Sequence, residues 1–180
     1  MHKILLIVAL FFTINITSAQ KFNPIDAESK VSFVIKNFGL KVDGQLKGIK
    51  GSISFDPNTL SNSAFNVSVN ANTINTDNSA RDKHLRKEDY FHVEKFPTIS
   101  FSSSKISKTG TAGKYTVAGN LTVKGTTKPI EFDFTATPTN NGFSFKGSFT
   151  INRRDFNVGG KSLPLSDNLT VNLDIATNKN

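Results

Sequence analysis

An all-β fold, a single extended antiparallel barrel of about eight strands with one short helical segment, is what this sequence predicts, on three observations. Apolar and polar residues alternate with a period of two through most of the chain, the mark of strands with one buried face. The composition holds 16 Phe, 2 Tyr and no Trp among many Ser, Thr and Asn; aromatic and β-branched side chains fit a pleated surface, while Asn and Ser weaken helices. One long run changes phase at a glycine, as a strand does when it bends around a closed sheet.

The chain opens on Lys3 and an apolar run from Ile4 to Phe12, weaker as far as Ile16, which ends on Thr17-Ser18-Ala19-Gln20. A basic start, a short apolar core and small terminal residues are the features of a secretory signal, and the run is shorter than the roughly 20 residues that cross a bilayer. Residues 1–19 are therefore expected to be a signal peptide cleaved near Ala19, and residues 20–180 one barrel domain in the periplasm or outside the cell. Removing 19 of 180 residues leaves 161, enough for a core without staples. Zero cysteines mean that hydrophobic burial must hold the fold even where disulfides are permitted. The formal charge is +8, and +7 once Lys3 is lost. That balance suits an anionic surface or an acidic head group, whereas export argues against nucleic acid.

The first strand places Val31, Phe33 and Ile35 on one face. The second carries Leu40, Val42, Gly44 and Leu46, then slips phase and continues through Ile49, Gly51, Ile53 and Phe55, so one extra residue near Gly48 reads as a β-bulge. Asp56-Pro57-Asn58 makes a turn. Phe65, Val67, Val69 and Ala71 follow on a third strand, with Asn66, Ser68, Asn70 and Asn72 on its other face. Later runs repeat the alternation: Ile99 and Phe101; Tyr115 to Val123; Ile130 to Ala136; Phe143 to Ile151; Leu169 to Ile175. Turn signals separate most of them, at Gly110 to Gly113, Gly125-Thr126-Thr127-Lys128-Pro129 and Asn140-Asn141-Gly142. Only Ser79 to Phe91 breaks the pattern. Ser79 and Asp82 fit a capping box there, and Leu85 is the single strong aliphatic residue, so a short surface helix lying over something as a cover is expected.

Such strands fit a sandwich or an up-and-down barrel; the bulge and the long strands favour the barrel, because closure removes exposed edges. Alternation then turns Phe33, Ile35, Val42, Phe101, Leu121, Phe132, Phe134, Phe145, Phe149 and Leu173 inward, and these are the candidate ligand-binding residues. Gly44, Gly51, Gly119 and Gly147 share that phase; they read either as volume left for a cavity or as bends needed for curvature.

The segment Arg81-Asp82-Lys83-His84-Leu85, followed by Asp89 to Phe101 (Asp89-Tyr90-Phe91-His92-Val93-Glu94-Lys95-Phe96-Pro97-Thr98-Ile99-Ser100-Phe101), closely resembles the YceI-like family of lipid-binding proteins. Gly119 to Ile130 and Asn152-Arg153-Arg154-Asp155-Phe156 support the match, which runs from about Phe22 to Ile175. The resemblance implies a lipocalin-like barrel, export to the periplasm, and an amphiphilic polyisoprenoid chain held inside, with no shared catalytic constellation.

The residues themselves leave little room for an enzyme or a cofactor. There is no Cys, and after the signal only His84 and His92 remain, beside Asp82, Glu88, Asp89 and Glu94 at spacings that match no zinc pattern. Gly160-Lys161-Ser162 lacks the first glycine of a phosphate loop, since Asp155 stands there. Asn66, Asn120 and Asn168 each begin an N-x-[ST] pattern inside an expected strand. Arg81, His84, Arg86 and Arg153 are candidate head-group contacts at a barrel mouth, with a solvated charge run and a structural Arg–Asp pair as the competing reading. The expected partner is a long-chain isoprenoid or other lipid, with transient membrane contact and a homodimer left open. An exported structural or stress-related interaction module without a small ligand is the alternative.

Overall fold

The computed structural model describes residues 20–180, so the expected signal peptide lies outside the described residues. Nine strand segments fill eight strand positions: β1 (Gln20–Pro24), β2 (Lys30–Asn37), β3 (Leu40–Phe55), β4 (Ala64–Asn75), β5 (Thr98–Lys108), β6 (Lys114–Val123), β7 (Thr126–Pro138), β8 (Phe143–Asn152) and β9 (Leu165–Lys179), with one helix, α1 (Ser79–Leu85), between β4 and β5. Every neighbouring pair is antiparallel, and pairing of β3 with both β2 and β4 closes the ring. β1 and β2 share one position between β3 and β9, interrupted by a 3-10 turn at Asp26–Glu28.

That interruption is tied to the bulge. Between Lys47 and Lys50, β3 carries one residue more than β4 opposite it, and Gly48 takes φ +75°, which only glycine adopts freely. The carboxylate of Asp26 accepts the Ile49 N–H at 2.7 Å, so the break in the first position satisfies a donor beside the bulge in the second.

The two ends of the barrel differ. At the lower end, reached by the β3–β4, β5–β6 and β7–β8 turns, the ring of Phe55 meets those of Phe65, Tyr115, Phe134, Phe143 and Phe145 with centroids 5.2–6.2 Å apart, mostly edge-on. Each such pair adds about 0.5–1.5 kcal/mol to the area it buries, and the cluster plugs that end. At the upper end, β7 and β8 pair only from Phe134 with Gly147 down to Pro138 with Phe143. Above that point the wall is sealed by side chains: Phe132 stacks on Phe149 with centroids 4.6 Å apart.

Three expectations are corrected. The helix is capped by Asn78, whose side chain accepts the Arg81 N–H, and not by a Ser79–Asp82 box; Asp82 is buried and instead accepts from the N–H and hydroxyl of Thr76. The β6–β7 turn is only Lys124-Gly125, both at positive φ, and Thr126 to Pro129 already belong to β7. Pro129 is tolerated in the strand because β8 forms no ladder there. The inward glycines, finally, are not empty volume. A Cβ on Gly44 would stand 2.2 Å from the ring of Phe33, one on Gly119 2.6 Å from Phe101, and one on Gly147 3.2 Å from Phe132. Each glycine is covered by a phenylalanine of the neighbouring strand, while Gly51, at φ +127°, serves the bend.

Candidate functional site

The ten candidates Phe33, Ile35, Val42, Phe101, Leu121, Phe132, Phe134, Phe145, Phe149 and Leu173 all face inward, as alternation requires, but they do not share one environment. A cavity of 230 Å³ occupies the upper half of the barrel, lined by Phe33, Ile35, Val42, Phe101, Leu121, Phe132, Phe149 and Leu173 among others. Phe134 and Phe145 lie below it in the aromatic plug and touch only a 60 Å³ void. The difference comes from the neighbours. Phe134 meets four other rings, whereas Phe33, Phe101 and Phe132 lie flat over glycines and keep the space beside them open.

On β9 the lining runs from Leu165 to Ile175. Ile175 pairs with Phe145 of the plug, so the open stretch ends near Leu173; eight residue steps at about 3.3 Å each, tilted by roughly 40° to the axis, give a cavity about 20 Å long.

Its roof comes from connections. Leu85 of α1, then Tyr90 and Phe91, then Phe156 and Val158 of the β8–β9 connection close the space above β4 to β8. The Gly159 N–H donates to Asp89 O at 2.8 Å, and Phe96 packs over Gly125, which holds the two roof pieces against each other and against the rim. No such roof covers the opposite side. Ile35, Val42, Leu165 and Leu169, on β2, β3 and β9, line the cavity there and are half-buried, as are Phe101, Phe132, Phe149 and Ile151 on the other walls; what marks the mouth is the rim at β2, β3 and β9, which no roof segment crosses. The cover expected from Ser79 to Phe91 supplies Leu85, Tyr90 and Phe91 to the roof, whereas Phe156 and Val158, in a connection outside any strand pattern, were not among the expected lining residues.

The candidate head-group residues separate. Arg153 lines the cavity but is 3 % exposed, and its five N–H donors are all engaged: by the carbonyls of Ser166, Val158, Gly160 and Leu165 and by Asp167 at 2.8 Å. It knits the β8–β9 connection together and has nothing left to offer a ligand. Arg86 donates to the carbonyls of Asn72 (2.8 Å) and Ile74 (2.7 Å), clamping the end of α1 to β4, and does not line the cavity. His84 is exposed, with its ring against Tyr90, and does not reach the cavity either. Arg81 does line it. Its Nε and Nη2 donate to Thr76, while Nη1 makes no hydrogen bond among those of the described residues.

The remaining chemistry is sparse. Among the described residues no three His, Asp or Glu side chains gather as a metal would need. The carboxyl of Asp133 is held below its ordinary value by hydrogen bonds from Lys114 and Thr116, but it stands on the outer wall. No helix among them is long and apolar enough to cross a membrane.

These features define the class: a closed antiparallel barrel, plugged with aromatic rings at one end, with an apolar chamber open at the other. The chain belongs to the YceI-like family, whose domain model matches residues 22–177. A UPF0312 protein of Yersinia enterocolitica is 33% identical over 177 residues, covering 93% of this chain and 91% of the relative. Among solved structures, the YCEI protein of Campylobacter jejuni is similar at 27% identity and TM-score 0.68, over 77% of this chain and 85% of that one. BcnA of Burkholderia cenocepacia shares the fold at TM-score 0.80 and 24% identity, over 84% of this chain and 98% of that one. So does a polyisoprenoid-binding domain from Saccharophagus degradans, at TM-score 0.70 and 12% identity, over 88% of this chain and 98% of that one.

Proposed function

We propose that the protein is an exported lipid-binding protein, not an enzyme, which holds one long hydrocarbon or isoprenoid chain along the upper half of its barrel for transport, storage or sequestration. The observation that carries this reading is the chamber itself: about 20 Å long by the strand estimate above, walled by aliphatic side chains and by phenylalanines laid flat over glycines. Each buried methylene contributes about 0.8 kcal/mol, so a chain filling the chamber gains affinity mainly through its length. The shared fold of the polyisoprenoid-binding domain from Saccharophagus degradans supports an isoprenoid as the first ligand to try.

Arg81 is the one candidate head-group residue that both lines the chamber and keeps free donors, so a polar end of the ligand is assigned to its neighbourhood. Cleavage after Ala19 would start the mature chain at Gln20, the first residue of β1, and leave that strand whole. Native mass spectrometry of mature protein purified without detergent tests the reading. A retained small molecule with a long apolar chain is expected. A ligand-free protein that also ignores isoprenoid alcohols of every length would instead support the interaction-module alternative.

A further inference from the structure

Phe38, Leu40 and Leu163 are the large apolar side chains that stand exposed among the described residues, at 78 %, 73 % and 100 %. They sit together on one lip of the mouth, because the Phe38 N–H donates to Pro164 O at 2.8 Å and so brings the β2–β3 hairpin tip beside the 161–165 loop.

Two further observations show that the free protein gains nothing from this arrangement. Phe38 and Gly39 form the two-residue turn between Asn37 and Leu40, with φ +50° and +77°. Both central residues are left-handed, a turn that favours Asn or Asp in first place and makes a bulky side chain costly. An aromatic ring is thus held at the tip against the backbone's preference, and then left in solvent. On the outer face beside it, Lys36 and Lys41 stand directly opposite each other in the β2–β3 register, both exposed, and like charges so placed destabilise a strand pair. Lys161, also exposed, adds a third charge on the neighbouring loop. Asp43 lies two residues along β3. Yet the ion pairs of the described residues are Lys114–Asp133, Lys146–Asp174, Arg153–Asp167 and Arg154–Asp167, none of which neutralises the lip.

An anionic bilayer would offset both the exposed ring and the unpaired lysines, since its interface accepts aromatic and aliphatic tips while its negative charge draws lysines. We propose that this lip is a membrane-docking surface for anionic lipid, and that docking presents the open side of the chamber to the bilayer; the second half of this statement rests on the lipid-binding reading above.

The test is sedimentation of residues 20–180 with vesicles of phosphatidylcholine alone or mixed with phosphatidylglycerol, alongside binding of a soluble naphthylamine probe that fluoresces in apolar cavities. The protein is expected to sediment with the anionic vesicles and to be released by salt. Phe38→Asn suits the turn better, so it should melt at a higher temperature and bind the probe as before, while its vesicle affinity falls about tenfold. Removing either Lys36 or Lys41 by substitution with Gln should cost roughly fivefold. Absence of vesicle binding, or vesicle binding untouched by Phe38→Asn and both lysine variants, overturns docking even if the probe binds. A dimer that Phe38→Asn converts to a monomer, with no vesicle binding, overturns it too and assigns the lip to a second copy. Docking without probe binding leaves the lip standing and removes the chamber's role.

Discussion

Gly44→Ala tests whether glycine backing keeps the chamber open. The added Cβ would lie 2.2, 2.5 and 2.8 Å from three atoms of the Phe33 ring, all inside van der Waals contact. The obstacle is the far end of a side chain, so the ring can swing away, and the free direction is the lumen that Phe33 already lines. Overpacking of this kind costs about 1–3 kcal/mol of stability, which a 161-residue barrel tolerates. If the displaced ring excludes about two methylenes of ligand, affinity falls by about 1.6 kcal/mol, somewhat more than tenfold. Adding Phe33→Ala to Gly44→Ala should restore most of that loss, because it removes the intruding ring. Isothermal titration with a long-chain isoprenoid alcohol, paired with thermal melting, reads both quantities. Unchanged affinity in a folded Gly44→Ala variant, or no recovery in the double variant, would refute the reasoning. Gly119→Ala makes a useful contrast: its Cβ would stand 2.5 Å from the Ser102 carbonyl, a backbone atom that cannot swing aside, so its stability cost should exceed that of Gly44→Ala.

Phe132→Asp and Phe134→Ala should separate chamber from plug: the first abolishes ligand binding in a protein that still melts cooperatively, and the second costs about 3–5 kcal/mol in denaturant unfolding with smaller effect on the affinity of what remains folded. Arg153→Met strands the carbonyls that the guanidinium serves and should lower stability by about 3 kcal/mol or more, with Lys a poor substitute for the five-donor fork. Arg86→Ala frees the end of α1 from β4 and should speed ligand release in stopped-flow exchange more than it weakens equilibrium binding. Asp133→Asn removes a contribution that exists above the ordinary carboxylate pKa and disappears as pH falls through the lowered one. Its small effect on melting, screened at an exposed site, should therefore be present at neutral pH and absent in strong acid.

Much of the barrel was legible because strand alternation and burial are local properties: a one-residue error in register would turn a whole strand inside out. Phe33, Phe101, Leu121 and Leu173 face inward for that reason, and the slip at Gly48 announced its bulge. Arg153 could not be read this way. As a basic residue ending a strand it read either as a contact for an acidic head group or as half of a structural Arg–Asp pair, and only the path of the β8–β9 connection shows four carbonyls and Asp167 converging on it.

The same limit governs the chamber. Phe132 and Phe134 are two residues apart on one strand with the same facing, and the sequence determines no more than that both point inward. Which of them borders empty space depends on what arrives from elsewhere in the chain: Gly147 and Phe149 beside Phe132, and Phe55, Phe65, Tyr115 and Phe145 around Phe134. Phe38 shows the converse, an aromatic residue that composition would assign to a core but that a left-handed turn carries out to the lip. Facing is set by a strand's own pleat and can be read along it; filling is set by partners brought together only when the barrel closes, and the tertiary structure alone decides it.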